Sequence, residues 1–110
     1  MADPTELLHG TLDVLVLKTL AWGPRHGYAI ARWLEANGAD ALRIEEGSLY
    51  PALYRLERRG WIAAEWGLSE TRRRVKLYAL TDDGRARLVV ETAQWSRFAD
   101  AVGRILHAPT

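Results

Sequence analysis

Residues 47–62 read GSLYPALYRLERRGWI, and the fold can be worked out from this stretch outward. Residues three and four apart are neighbours on a helix surface. Four apolar residues therefore share one side of a helix: Leu49, Ala52, Leu53 and Leu56. The opposite side carries residues at steps of three, four and three: Ser48, Pro51, Arg55 and Arg58. Tyr50 and Tyr54 flank this polar side, so the stretch predicts an amphipathic helix with a buried apolar side and a basic exposed side.

The proline predicts where this helix begins. A proline in the first turn loses little, because amides there have no partner inside the helix. Its ring also disfavours helical angles at the preceding residue, Tyr50. We therefore expect a start between Ser48 and Pro51 and an end at Gly60.

The rest of the chain predicts a winged helix-turn-helix. Apolar periodicity and turn residues predict helices over 5–22 and 26–36, and β-favouring runs at 61–67 and 74–80 predict a hairpin. Thr81 is a typical N-cap for a final helix from about Asp82 to Leu106. The order predicts a mainly α fold with minor β structure, a two-stranded wing and a long C-terminal helix. We expect a DNA-binding unit over 1–80 and a dimerisation helix over 81–110.

Composition excludes several classes of protein. The chain has 110 residues and no cysteine, and its three histidines are far apart, so no metal or cofactor site is predicted. No glycine-rich phosphate loop or nucleophile with a local base occurs, which argues against an enzyme. No apolar run approaches the roughly 20 residues of a membrane span, and no secretory signal is visible. We expect a cytoplasmic protein that does not contact membranes.

Positive charge is concentrated in the middle third of the chain. Residues 43–76 carry seven arginines and Lys76 against five glutamates, although the whole chain has a net charge of only +1. Arg72, Arg73 and Arg74 lie on the predicted wing, beside a helix that offers guanidinium, phenol and small apolar groups. Such groups read base edges in the major groove and neutralise phosphates. This pattern favours DNA binding over a merely solvated arginine face.

Three segments resemble the PadR-type transcriptional regulators, which are bacterial and archaeal winged-helix repressors. They read LHGTLDVLVLKTLAWGPRHGYAI, EEGSLYPALYRLERRGWI and RRRVKLYALTDDGR, in the family's order and spacing, and cover nearly the whole chain. Two positions depart from the family pattern. Arg72 stands where glycine is favoured, and Val75 stands where a basic or polar residue is favoured.

The resemblance implies a homodimeric repressor on an inverted-repeat operator in double-stranded DNA, working at the nucleoid. It implies that the third helix enters the major groove and that the wing contacts the backbone or minor groove. Carried onto this chain, the DNA-facing residues are Ser48, Tyr50, Pro51, Tyr54, Arg55, Arg73, Arg74 and Lys76. We expect Arg55 to contact DNA more readily than Arg59, and Tyr28 to lie in the core.

The final helix carries an apolar stripe that the rest of the predicted fold leaves uncovered. Its members are Leu88, Trp95, Phe98, Ala99, Val102, Ile105 and Leu106. An uncovered apolar stripe on a long helix indicates a surface that a partner covers. The simplest partner is a second copy of the chain, with the first helix also taking part in the contact. We therefore predict a homodimer through this stripe.

Trp95 allows two interpretations. In some small members of the resembled family, an aromatic residue in this helix lines a dimer-interface cavity for planar aromatic or phenolic compounds. Trp95 then binds an effector, with Val14 as a wall of the cavity. Alternatively, Trp95 is an ordinary dimer-core residue, as indoles often are.

Two other functions stay open from the sequence. The winged helix could serve as a protein-interaction module without DNA binding, or the protein could mainly sequester a small molecule.

Overall fold

The structure is a computed structural model that describes residues 11–39 and 41–110. Helix α1 spans Leu12–Thr19, followed by a 3-10 turn Leu20–Trp22, strand β1 Arg25–His26, helix α2 Gly27–Asn37, helix α3 Glu46–Arg58, strand β2 Ile62–Leu68, strand β3 Arg74–Leu80 and helix α4 Asp82–Leu106. This is the predicted mainly α winged helix. Of the first predicted helix, residues 5–10 lie outside the described part of the chain.

The core lies where α1, α2 and α3 meet the base of the sheet. It consists of Leu12, Val16, Leu17, Leu20, Ile30, Ala31, Leu34, Ile44, Leu49, Ala52, Leu53, Leu56, Ile62 and Tyr78. The four apolar residues predicted for the inner side of α3 are all among them. Their burial removes apolar area from water and fixes which side of α3 remains outside.

The sheet has three strands in the order β1-β3-β2, all antiparallel. The predicted two-stranded wing is present as β2 and β3, and the sheet gains a third strand, β1, that was not predicted. Strand β1 contains only Arg25 and His26, which pair with Tyr78 and Leu77 of β3. Two residues are too few to show an alternating pattern, so the sequence offered no signal for this strand.

Helix α3 begins earlier than predicted. Glu45 is its N-cap, and the amides of Ser48 and Leu49 donate to the Glu45 carbonyl at 3.0 and 2.9 Å. Pro51 therefore lies inside the helix, and the predicted start between Ser48 and Pro51 is wrong. The proline only removes the amide that would reach Gly47, and because Gly47 is exposed its carbonyl can bond to water.

Helix α3 ends at Arg58, and Gly60, the residue predicted to close it, follows the C-cap Arg59 with φ +77°. The amide of Gly60 donates to the Glu57 carbonyl at 3.0 Å, and that of Trp61 donates to the Leu56 carbonyl at 3.1 Å. This pair of bonds with a left-handed glycine is a Schellman motif, which directs the chain into β2.

Helix α4 has the predicted bounds and cap. The Thr81 hydroxyl oxygen accepts from the Gly84 amide at 3.0 Å, and the hydroxyl donates to the Gly60 carbonyl at 2.6 Å. Gly84 is buried against Trp61, and Leu88 packs on the core. From Thr92 onward, every residue of α4 except Gly103 is exposed. In the described part of the chain, no helix is both long and apolar enough to cross a membrane.

Candidate nucleic-acid interface

The outward side of α3 is a stripe of Pro51, Tyr54 and Arg58, which are all exposed. One guanidinium nitrogen of Arg58 donates to the Tyr54 hydroxyl at 3.1 Å, and the guanidinium lies 5.7 Å from the centre of the Tyr54 ring. The two side chains therefore support each other. Together they present a cation, a phenol and an apolar ring away from the core.

Arg55 lies at one edge of this stripe, next to α1. Its Nη2 is 2.7 Å from Oδ1 of Asp13, while Arg59 Nη1 is 3.5 Å from Oδ2 of the same carboxylate. Arg55 therefore has the shorter of the two ion pairs, and the expectation that it contacts DNA more readily than Arg59 stays a prediction. The sequence could not show this pair, because its members are 42 residues apart.

The ion pairs border a cleft of about 390 Å³ between α1, α3 and α4. Its lining residues are Asp13, Val14, Leu17, Arg55, Arg59, Trp61 and Glu91. Val14 is among them, but Trp95 is not. Val14 and Trp95 therefore do not share this cleft.

Tyr50 lies at the other edge of the stripe, toward the sheet and α2. A Cβ atom on Gly27 would lie 2.8 Å from the Tyr50 hydroxyl, so the absence of a side chain at Gly27 makes room for this ring. The neighbouring Tyr78 is buried. Its burial, followed by the charges of Glu57 and Tyr50, raises the pKa of its phenol. Ser48, in the first turn of α3, is half-buried.

The wing turn, residues 69–73, is held by its own backbone and side chains. The Ser69 amide donates to the Arg73 carbonyl at 2.9 Å, and the Arg73 amide donates to the Ser69 hydroxyl at 3.2 Å. Arg72 has φ +62°, the left-handed region that favours glycine. The sequence departure at this position therefore keeps a glycine-type backbone and adds a positive charge to an exposed turn.

The cations of β3 differ in their surroundings. Arg74 lies over the Trp66 ring, 4.6 Å from its centre. Lys76 Nζ is 3.7 Å from Oε1 of Glu57 on α3. Arg73 lines a groove of about 960 Å³ between the wing turn and the N-terminal half of α2. The predicted DNA-facing residues thus form two neighbouring groups, one on α3 and one on the wing.

Three large aromatic residues of the winged-helix part are exposed. Tyr28, expected in the core, is 67% exposed, and Trp22 and Trp66 are 66% and 61% exposed. Tyr28 stacks on His26 and lies under Arg32. The buried residues of α2 are Gly27, Ile30, Ala31 and Leu34. Tyr28 lies off that inner face, and helical spacing could have shown this.

The apolar stripe of α4 divides into two parts. Leu88 packs on the core of its own chain, whereas Trp95, Phe98, Ala99, Val102, Ile105 and Leu106 are exposed. The centres of the Trp95 and Phe98 rings are 5.9 Å apart, and the ring planes are tilted by 45°. No described residue covers this part of the helix.

Comparisons with known proteins agree with this architecture. Residues 16–90 match the profile of the Transcriptional regulator PadR-like family. A PadR family transcriptional regulator from Eggerthella lenta is 38% identical, with 96% of this chain and 89% of that chain covered and a TM-score of 0.79. A PadR-like regulator from Bacillus cereus is 25% identical, with 94% and 99% covered and a TM-score of 0.82. A transcriptional regulator from Clostridium thermocellum is 26% identical, with 90% and 96% covered and a TM-score of 0.80.

Proposed function

Because the chain belongs to the PadR-like family of transcriptional regulators, we propose that it is a homodimeric repressor of an inverted-repeat operator. The family and its structural neighbours are regulators and not enzymes. The observation that carries the proposal is the exposed Pro51, Tyr54 and Arg58 stripe beside a basic wing. The protein would act on chromosomal DNA in the cytoplasm.

The stripe of α3 has the chemistry needed in a major groove. The groove of B-DNA is about 12 Å wide and admits one helix. Arg58 can donate two hydrogen bonds to a guanine edge or pair with a phosphate, and the Pro51 ring can contact a thymine methyl group. Because Tyr54 already holds Arg58, less side-chain freedom is lost on binding. Ser48 and Tyr50 would contact DNA near the start of the helix.

Arg55 would contribute to DNA binding in a different way from Arg58. Its pairing with Asp13 leaves the side chain 44% exposed at the edge of the stripe. It would neutralise a phosphate beside the groove while Asp13 orients it. Arg58, whose only described partner is Tyr54, would make the deeper contact.

The wing would contact the flanking backbone. Arg73 and Arg74 are exposed at and beside the turn, and Lys76 lies nearer α3. Phosphate contacts of this type position a protein on the duplex and release counterions. They therefore add affinity that falls steeply as salt rises.

The dimer proposal rests on the continuity of the α4 stripe. Leu88 packs on the domain, and the same side of the helix continues through Trp95, Phe98 and Val102 without a described cover. A second copy related by a two-fold axis would cover it and place two α3 helices on one duplex. A dimer with two-fold symmetry matches the symmetry of an inverted-repeat operator.

An aromatic effector is a second part of the proposal. Trp95 and Phe98 form an exposed aromatic pair on the surface that the partner would cover. A planar compound stacked there would alter the angle between the two chains and so the spacing of the α3 helices. Val14 of the first helix would be reached only through the partner chain.

DNA binding can be tested before the operator is identified. The protein is used to select duplexes from a random-sequence library, and the selected duplex is titrated by fluorescence anisotropy across a salt series. Arg58→Ala should weaken binding. If Arg58 contacts one phosphate, the slope of log affinity against log salt should also fall by about 0.9. If Arg58 reads a guanine, the variant should instead lose preference for that base.

Arg104→Ala, at the far end of α4, is the matched control and should bind like the parent protein. The replacement of Arg72, Arg73 and Arg74 by alanine should lower both affinity and salt slope. Selection of no duplex by the wild-type protein would refute the function, and unchanged binding by the Arg58 and triple variants would refute this interface.

A further inference from the structure

The two faces of the β2–β3 hairpin differ in the residues they carry. Side chains directly opposite one another on paired strands share a face. Trp66 is opposite Lys76 and Leu68 is opposite Arg74, so these four residues lie on one face. Glu65, opposite Leu77, lies on the other face.

The face with Trp66 is the one that adjoins α3. Near the base of the hairpin the same face carries Tyr78, which is buried beside Glu57 and Tyr50 of α3. One pair further along, Lys76 reaches Glu57 at 3.7 Å. The face then continues past α3 as Trp66, Arg74 and Leu68, so it borders the exposed side of that helix.

Trp66 and Leu68 are 61% and 66% exposed. Neither belongs to the core cluster of the described residues, nor to the partly buried residues packed against it. The described contact of the Trp66 ring is with the Arg74 guanidinium, 4.6 Å from the ring centre. An indole and a leucine are therefore left in water at the point where the wing is most basic.

We propose that Trp66 and Leu68 form an apolar contact with the sugar edges of double-stranded DNA, between the phosphates bound by Arg74 and Lys76. The inference rests on the proposed DNA-binding function and extends it to two residues that are not among the predicted DNA-facing ones. Apolar side chains contact deoxyribose and bases in the minor groove of many complexes. Stacking of Arg74 on the ring keeps the guanidinium beside the indole, so both reach the same stretch of backbone.

Charge favours DNA over a second copy of the chain as the occupant of this face. Of the described acidic residues, the one in ionic contact with this face is Glu57, and Lys76 already pairs with it. A protein partner would have to desolvate Arg74 and Lys76 around the indole, which is costly without matching acids. A phosphate backbone supplies regularly spaced negative charges on both sides of an apolar sugar.

The proposal separates two kinds of DNA contact that can be measured independently. An apolar contact releases no phosphate counterion, so its loss lowers affinity at every salt concentration by the same factor. Loss of a cation lowers the salt slope as well, by about 0.9 per phosphate. The Trp66 and Arg74 side chains touch each other, yet their replacement should give different signatures.

The experiment uses the full chain and the duplex that the wild-type protein selects from a random library. Trp66→Ala should weaken binding about tenfold, within the range for loss of an aromatic contact with nucleic acid, with an unchanged salt slope. Trp66→Phe should restore much of the affinity. Arg74→Ala should reduce the salt slope. Trp22→Ala is the matched control, because Trp22 is 66% exposed and lies 4.6 Å from Lys18 Nζ, but belongs to the turn after α1.

A spectroscopic measurement keeps the test decisive if Trp66→Ala does not fold. The wild-type chain is labelled with 5-fluorotryptophan, and the fluorine signals are assigned with the Trp66→Phe and Trp22→Phe variants. Addition of the duplex should move the Trp66 signal and reduce its solvent isotope shift, while the Trp22 signal stays in place.

Unchanged affinity of a folded Trp66→Ala variant, or a Trp66 signal that DNA leaves in place, would overturn the proposal. A Trp66 signal that moves with protein concentration in the absence of DNA would assign the face to a second copy instead. Selection of no duplex by the wild-type chain would instead refute the DNA-binding function itself.

Discussion

At Gly84 the long helix lies directly against the backbone of Trp61, and replacement of this glycine by alanine should destabilise the fold. A Cβ atom at this position would lie 1.8 Å from the carbonyl oxygen of Trp61, 2.7 Å from its carbonyl carbon and 3.1 Å from its Cα. Real Cβ contacts essentially never fall below 3.0 Å, so α4 and the start of β2 must separate by about 1.2 Å. The obstacle is backbone, so a change of rotamer cannot relieve it.

The expected cost follows from two opposing effects. Overpacking typically costs about 1 to 3 kcal/mol, and a rigid backbone obstacle places this site at about 3. Separation would also strain the bonds from Thr81 to the Trp61 and Gly60 carbonyls, which are 3.1 and 2.6 Å long. Alanine is favoured over glycine inside a helix by about 1 kcal/mol. The net loss is about 2 kcal/mol, or a fall in Tm of roughly 8 °C for a domain of this size.

Thermal unfolding followed by circular dichroism at one protein concentration measures this loss. Gly103→Ala is the matched control. Gly103 lies in the same helix, but a Cβ there would have no atom beyond its own stretch of helix within 4 Å. That variant should gain up to about 1 kcal/mol. If Gly84→Ala is as stable as the parent protein, or if the two variants change stability in the same direction, the close contact of α4 with the Trp61 backbone is incorrect.

Further predictions concern the interface and its surroundings. Gly27→Ala should displace Tyr50, whose hydroxyl would lie 2.8 Å from the new Cβ, and should weaken binding to the selected duplex in anisotropy titrations while leaving the helical circular dichroism signal unchanged. Burial raises the pKa of Tyr78 above its ordinary value of 10.0, so the phenol ionises at a lower pH in the unfolded chain than in the folded protein. The free energy of unfolding should therefore fall as the pH rises above about 10. Chemical denaturation at several pH values should show a smaller fall for Tyr78→Phe. Arg72→Gly should raise the free energy of unfolding slightly, by about 0.5 kcal/mol, because φ is +62°, and a loss of stability would contradict the left-handed turn. Planar aromatic compounds should quench tryptophan fluorescence of the parent protein more than that of Trp95→Phe, and equal quenching would exclude Trp95 as the effector site.

The parts of the fold that could be predicted from the sequence depend on local chemistry. The inner face of α3 follows from leucine spacing, and the Thr81 cap followed by Asp82 and Asp83 sets the start of α4. These signals lie within a few residues of the feature they predict. The fold itself was also supported by resemblance, which placed the wing after the third helix.

The parts that could not be predicted depend on contacts between distant residues. Strand β1 exists because Arg25 and His26 meet β3, about 50 residues later in the chain. The start of α3 depended on Glu45 accepting the first amides, which outweighed the restraint from Pro51 on the preceding residue. The orientation of Arg55 depended on Asp13 of another helix. Patterns in one segment carry no information about such partners.

Hydroxyl-radical footprinting of the duplex selected by the wild-type protein tests the central claim most directly. A two-fold dimer that inserts α3 into successive major grooves should protect two symmetric patches, about 10 base pairs apart or a multiple of that spacing. Flanking protection from the wing should disappear when Arg73 and Arg74 are replaced by alanine. A footprint with a single asymmetric patch, or no protection at protein concentrations that saturate the selected duplex, would contradict this mode of binding.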